Sequence, residues 1–333
     1  MPRHVNYVPK GVIPAVLLPF ENDLSIDEAN FRKHLRDVAA VEGLSAVTIN
    51  AHSTEVASCT FEEQRRVLEI AQDEIGGRLP LVNGIWADGS LEAARFARMA
   101  AQGGASALLV FPPAPFTLGQ SPAMALAHFK RIADATDLPL IVFQYPLATG
   151  QGYPKDTLLK LCEELPTIRA IKDWIGNVPH HEWHIRTLKN LDPPVNVLTT
   201  HSSWLLSSLV LGPNGLLSGS GSVIADLHAD VSRRAEERHG GGQTAQRPHR
   251  ADRAGVLRRP VRRHAQPHEG SAGAARQIAA RGGAAAAGQA RARRDHAHPR
   301  RAGGSGTSRQ GRWPRRGVIF SLPSPFQAEG TER

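Results

Sequence analysis

"IRAIKDW", residues 168–174, sets one lysine inside an apolar run, with an acid and a tryptophan behind it. A charged lysine is costly to bury in a strand-like segment. Lys172 is therefore either a snorkelling or paired lysine, or an amine kept partly neutral so that it can attack a carbonyl. The run is one of eight. Before it come "GVIPAVLLPF" (11–20), "LSAVTIN" (44–50), "LPLVNGIW" (79–86), "ASALLVFPP" (105–113) and "LPLIVFQYP" (138–146); after it come "VNVLTTHS" (195–202) and "GLLSGSGS" (215–222).

Segments with helical period follow most of these runs. Ser25 with Glu28, and Thr60 with Glu63, have the capping-box spacing; Ser90 opens "LEAARFARMAAQ" and Gly103–Gly104 close it. Apolar strands alternating with helices imply a parallel sheet covered on its faces. Eight such units in about 220 residues fit an α/β (β/α)8 TIM barrel. A doubly wound open sheet is the competitor, but no G-x-G-x-x-G follows the first run and there is no P-loop pattern. Barrels of this kind gather their catalytic groups at the C-terminal strand ends. Those ends carry "NAHSTE" (50–55), "FQYP" (143–146), "KDW" (172–174), "TTHSS" (199–203) and "SGSGS" (218–222).

The formal charge of +9 and pI near 10.1 would suggest an anionic partner. The charge is uneven, however. Residues 1–230 hold 18 Lys+Arg and 24 Asp+Glu; residues 231–333 hold 22 and 7. The barrel is acidic and the tail basic, so nucleic acid is not an expected partner of the barrel. Two distant cysteines, Cys59 and Cys162, fit reduced thiols, and no Cys/His spacing resembles a zinc site. The start "MPRHVNYVPKG" lacks a signal-peptide core, and no apolar run spans a bilayer. A cytoplasmic protein with no membrane partner is expected.

"GVIPAVLLPF", "GLSAV" with its small-polar-x-x-Glu turn, "LPLIVFQYP" and "AIKDW" resemble, in order and spacing, the dihydrodipicolinate synthase and N-acetylneuraminate lyase family. The resemblance runs from about residue 10 to about residue 228. It implies a class I Schiff-base (β/α)8 aldolase or dehydratase, without metal or cofactor, assembled as a homodimer or tetramer. Lys172 takes the role of the lysine that attacks a 2-oxo acid such as pyruvate. A desolvated lysine has a lowered pKa and a larger nucleophilic fraction.

Other positions depart from the family pattern. Phe143 stands where the resemblance expects the proton-shuttling tyrosine, and Tyr145, two residues on, points to the same side of a strand. The carboxylate-binding turn reads "AHSTE": Glu55 is kept, His52 and Ser53 replace two threonines, and Thr54 follows them. The arginine for a second carboxylate falls at Ala148, and a tyrosine lent between subunits falls near Ala114. Dihydrodipicolinate synthesis itself is therefore not expected.

His52 and His201 end the second and seventh runs. Either could replace the missing phenol as general acid or base; both could equally be hydrogen-bonded loop histidines. "SGSGS", with Ser218 and Gly219, offers backbone N–H groups for an anion, or is a plain flexible turn. The candidate site is thus Lys172, Tyr145 and His52 for chemistry, with Ser53, Thr54, His201, Ser218 and Gly219 binding substrate. "HHEWH" (180–184) has metal-like composition but reads as surface histidines at a helix start.

After "SVIADLHAD" the composition changes. Residues 231–316 hold six large apolar residues and abundant arginine, and no lysine follows Lys189. Such a segment cannot bury enough surface to offset its ordering entropy. Back-translated and shifted by one base, "GVLRRPVRRHAQPHEG" (255–270) permits F-Y-A-D-P-F-V-D-M-H-N-R-M-K, an ordinary amphipathic sequence. A frameshift near residues 229–231 is expected, leaving a barrel over 1–230 without a normal last helix and an aberrant tail over 231–333. Two alternatives stand beside the lyase reading: a catalytically silent relative that binds a small ligand, and a nucleic-acid binder acting through its basic tail.

Overall fold

A computed structural model describes His4 and residues 6–240. From residue 241 onward, the tail expected over 231–333 lies outside the described residues.

Each of the eight apolar runs yields a strand: β1 (Gly11–Pro14), β2 (Val47–Ile49), β3 (Leu81–Ile85), β4 (Ala107–Val110), β5 (Leu140–Gln144), β6 (Ile168–Asp173), β7 (Asn196–Thr199) and β8 (Gly215–Ser218). Neighbours pair in parallel from β2 through to β8, and β1 pairs with β8 in the register Gly11↔Gly215. Parallel bridges Val12↔Leu44 and Ala15↔Thr48 bring β1 against β2 and all but close the ring. Between the strands run α1 (Glu28–Ala39), α2 (Phe61–Ile75), α3 (Ser90–Gln102), α4 (Pro122–Ala133), α5 (Lys155–Glu164), α6 (Val178–Leu188) and α7 (Leu205–Val210); α8 (Gly221–Gly240) follows β8. The fold is a (β/α)8 TIM barrel.

Local chemistry sets the helix starts. Thr60 and Glu63 form a full capping box on α2. Ser25 does not cap α1: its hydroxyl donates to Asp23, and Asp27 caps instead, accepting from the Asn30 N–H. Asp27 directly precedes the first helical residue, so its carboxylate reaches the orphan donors that Ser25 cannot. Ser90 is likewise the first residue of α3 rather than its cap, and its hydroxyl meets His128 Nδ1 at 3.0 Å.

The core has two layers, divided by strand alternation. Between sheet and helices lie Val47, Ile49, Leu108, Val110, Leu140, Val142, Ile168 and Ile171, packed on Phe31, Leu68 and Phe129. Inside the ring lie Ile13, Ala15, Val82, Leu109, Ile141, Ala170, Leu198 and Leu217. Each fully buried aliphatic side chain contributes roughly 1.5–3 kcal/mol of transfer free energy.

One glycine is required by close approach. A Cβ on Gly84 of β3 would lie 1.8 Å from the Asn50 carbonyl oxygen, where the chain leaves β2 with Asn50 at φ 50°. Asn50 is anchored there by its side-chain amide, which donates to Gln64 O and Asn83 Oδ1.

α8 packs on β1 and β8 and is kinked at Ile224 (φ −129°, ψ 40°). Its Ser222 hydroxyl donates to Ala15 O, and His228 and Ser232 are buried. No helix among the described residues is long and apolar enough to cross a membrane.

Candidate active site

Lys172 is the fifth residue of β6 and shares its face with Ala170, inside the barrel. It is 5% exposed, and burial lowers its amine to about 7. Nζ stands 4.1 Å from the centroid of the Phe143 ring. A cation over a ring face favours the charged form by about 0.5–2 kcal/mol. Burial opposes it more strongly, so a large neutral fraction exists near pH 7.

Tyr145 Oη and His52 Nε2 lie 2.7 Å apart. His52 opens a 3-10 turn, His52–Thr54, directly after β2, flanked by Asn50 and Glu55 in left-handed conformations. Burial, and then the charge of Lys172, lower the His52 imidazole to about 4. Burial pushes the Tyr145 phenol well above its ordinary value. The pair is therefore neutral at pH 7, joined by one hydrogen bond, and near enough to Lys172 to feel its charge.

Rings surround this group. His52 packs on Phe111 (4.9 Å between centroids), Trp86 (5.4 Å), Phe143 (5.7 Å) and Tyr145 (5.8 Å). Phe143 and Tyr145 meet edge to face at 4.6 Å, and Trp174 leans on Tyr145 at 5.6 Å. Trp86, Phe111 and Trp174 were not singled out from the sequence. Strand alternation could have found them: Trp86 continues the inward positions of β3, Phe111 those of β4, and Trp174 those of β6.

The other candidates are placed differently. Ser53 donates its hydroxyl to Ala15 O at 2.8 Å, and a Cβ on Gly219 would lie 3.5 Å from Ser53 Cβ. Ser53 and Gly219 thus meet at the barrel mouth. The Thr54 hydroxyl bonds the backbone of Ala51, within its own turn. Ser218 joins a hydroxyl cluster, 2.9 Å from Ser220 Oγ and 3.5 Å from Ser202 Oγ.

Behind Lys172, Asp173 faces outward and is fully buried. "HHEWH" is not a set of surface histidines. His181 and His184 are both 0% exposed, and each donates Nδ1–H to Asp173 Oδ2 at 2.7 Å. They are three residues apart on the inward face of α6, together with Ile185 and Leu188. The Ile175 N–H donates to Asp173 Oδ1 at 2.9 Å. Burial alone would raise the carboxyl, but the bonds from His181 and His184 carry it below the ordinary range.

His201 joins this outer cluster rather than His52. Its Nε2 is 4.0 Å from Asp173 Oδ1, and its ring stacks on Trp204 at 4.0 Å. Burial lowers it to about 4. Asp173, His181 and His201 bring potential ligand atoms within 4.8 Å of one another, a donor set suited to a divalent transition metal. Both Asp173 oxygens are already hydrogen-bonded, however, and His181 bonds Asp173 through Nδ1 and Ser208 Oγ through Nε2, so a metal would have to displace one of these bonds.

The comparisons with known proteins bear on the family and the fold. The Dihydrodipicolinate synthetase family model matches residues 8–251. A 4-hydroxy-tetrahydrodipicolinate synthase of Salinibacter ruber is 34% identical over 169 residues, which are 51% of this chain and 55% of that protein. The chain thus spans about half the length of that relative. A synthase of the same name from Methanosarcina acetivorans is 30% identical over 219 residues, 65% of this chain and 72% of that one. Among solved structures, YagE, a prophage protein of Escherichia coli K12 in complex with pyruvate, is 24% identical. It covers 71% of this chain and 80% of its own at a TM-score of 0.62, and so shares the fold. The buried lysine on β6, the eight-stranded ring and a match over most of the chain lead to one conclusion: the chain belongs to the dihydrodipicolinate synthetase family, a family of lyases.

Proposed function

We propose that this chain is a Schiff-base lyase, aldolase or dehydratase, acting on a 2-oxo acid such as pyruvate or its aldol adduct, with Lys172 as the nucleophile. The observation that carries this is the amine itself: buried inside the barrel, near its C-terminal mouth, and lowered to about 7. Neutral Nζ attacks the C2 carbonyl, the carbinolamine loses water, and the iminium withdraws electrons from C3. Bond cleavage at C3–C4, or its reverse, passes through the enamine; water then releases product and free lysine.

The proton that moves in these steps is assigned to the Tyr145–His52 pair. Phe143 cannot relay it, and Tyr145 carries a hydroxyl on the same inward face, 2.7 Å from an imidazole. Burial, and then the charge at Lys172, keep the His52 imidazole neutral, so the pair is assigned to relay the proton along its hydrogen bond rather than to store it. Ser53 and Gly219 are assigned to the substrate carboxylate. A homo-oligomeric assembly and a cytoplasmic location belong to the same reading, drawn from the family. The frameshift after residue 230 is likewise kept as a proposal.

The test is borohydride trapping. The protein is incubated with pyruvate, reduced, and its peptides mapped by mass spectrometry. A reduced adduct on Lys172 is expected. Folded protein that gives no adduct with pyruvate or other 2-oxo acids refutes the reading.

A further inference from the structure

The iminium fixes only one half of the substrate. The residues around Lys172 bear on the other half. Six rings from the ends of β2 to β6 stand together there: His52, Trp86, Phe111, Phe143, Tyr145 and Trp174. Phe111, Phe143 and Tyr145 are buried at 1%, 2% and 5% exposure, while Trp174 is 41% exposed and Trp86 half-buried. The cluster thus runs without a break from the amine to the solvent: Phe111 to Phe143 at 5.3 Å, Phe143 to Tyr145 at 4.6 Å, and Tyr145 to Trp174 at 5.6 Å.

The polar groups among these rings are few. Tyr145 Oη and His52 Nε2 bond each other. Among the described residues, Lys172 is the one cation against these rings, and the iminium uses it. The position the family resemblance gives to a carboxylate-binding arginine is Ala148, whose side chain can bind no anion. A second carboxylate would be desolvated against rings without a counter-charge. A polyhydroxy chain would exchange water for a wall whose polar atoms are few, namely the bonded Tyr145–His52 pair and the indole N–H groups of Trp86 and Trp174. An aryl group would meet edges and faces suited to its own quadrupole.

We infer that the half of the substrate beyond C3 is aromatic: the site joins pyruvate to an aromatic aldehyde, or splits the 4-aryl-4-hydroxy-2-oxo acid. This rests on the Schiff-base reading above. In the cleavage direction Lys172 forms the iminium at C2 with loss of water. The C4 hydroxyl gives up its proton, the C3–C4 bond breaks, and its electron pair moves to the iminium nitrogen as the enamine. The aryl aldehyde leaves, C3 takes a proton, and water releases pyruvate. No oxidant or reductant enters.

The test uses the full chain with pyruvate and four aldehydes: benzaldehyde, acetaldehyde, succinic semialdehyde and glyceraldehyde. Adduct formation is followed by mass spectrometry, beside borohydride trapping with pyruvate alone. Benzaldehyde is expected to exceed the others in kcat/KM by about tenfold or more. Trp174→Ala is expected to raise KM for benzaldehyde by roughly three- to tenfold relative to acetaldehyde. Pyruvate trapped on Lys172 together with preference for the charged, polyhydroxy or small aldehyde overturns the inference and leaves the lyase reading standing. Failure to trap pyruvate at all overturns both.

Discussion

At the scale of single residues, Lys172 and the Tyr145–His52 pair are the groups proposed to carry the chemistry, and their protonation sets the expected pH behaviour. The amine is lowered to about 7, so its neutral fraction grows as pH rises through that value. The rate of iminium trapping with pyruvate should climb about tenfold per unit below about pH 6 and flatten above about pH 8. A rate independent of pH over that span would mean that the amine is not the titrating nucleophile. Within the same profile, His52→Asn should lower turnover by about 10²–10⁴ while borohydride trapping on Lys172 persists. Unchanged turnover in His52→Asn would remove the imidazole from the proton path. Lys172 was legible because a lone lysine in an apolar strand is hard to explain otherwise. Tyr145 was legible from the two-residue period. His52 was legible as a candidate too, but its pairing with Tyr145 was not, because β2 and β5 pair with different neighbours and the 2.7 Å contact crosses the barrel.

Strand β6 and helix α6 act as one unit at the next scale. Adjacent residues of β6 face opposite ways: Lys172 into the barrel, Asp173 onto His181 and His184 of α6. The carboxylate thus fastens the helix to the strand that carries Lys172. Asp173→Ala leaves two buried imidazole donors without their acceptor, and removing one member of a buried charged group typically costs about 3–5 kcal/mol. A fall of that size in urea unfolding free energy is expected, and a change within about 0.5 kcal/mol would show that the network adds no stability. The inward face of α6 was readable: positions 181, 184, 185 and 188 form a helical stripe that includes Ile185 and Leu188. Reading "HHEWH" as a block, rather than on that stripe, placed its histidines at the surface. Ser25 misled for a related reason, since several polar residues in a row compete to cap and only backbone geometry selects Asp27.

The whole molecule joins an acidic barrel to a basic tail segment, and its seam lies at α8. Leu206 and Val210 of α7 and Val223 and Leu227 of α8 are between 51% and 65% exposed, on two helices that pack together. An apolar face of this kind ordinarily has a cover. The proposed change of reading frame near residues 229–231 would account for the exposure of this face among the described residues. Sequencing the coding DNA should reveal a one-base difference that opens an ordinary amphipathic reading, such as F-Y-A-D-P-F-V-D-M-H-N-R-M-K, over the codons of 255–270; an unbroken single frame with no such difference would end that explanation.

The sequence by itself determined the barrel and marked the candidate nucleophile. Both are written in local pattern, as eight apolar runs with helical segments between them and a lysine where no charge belongs. Tertiary structure alone decided which side chains meet. Two histidines, His52 and His201, follow the ends of strands, yet one bonds Tyr145 within reach of the Lys172 charge and the other lies beside the buried Asp173. The two-residue alternation that orients side chains lapses once the chain leaves a strand, and His201 lies two residues beyond the end of β7. Past that point only the packing of the loops, which depends on contacts distant in sequence, settles where a side chain points.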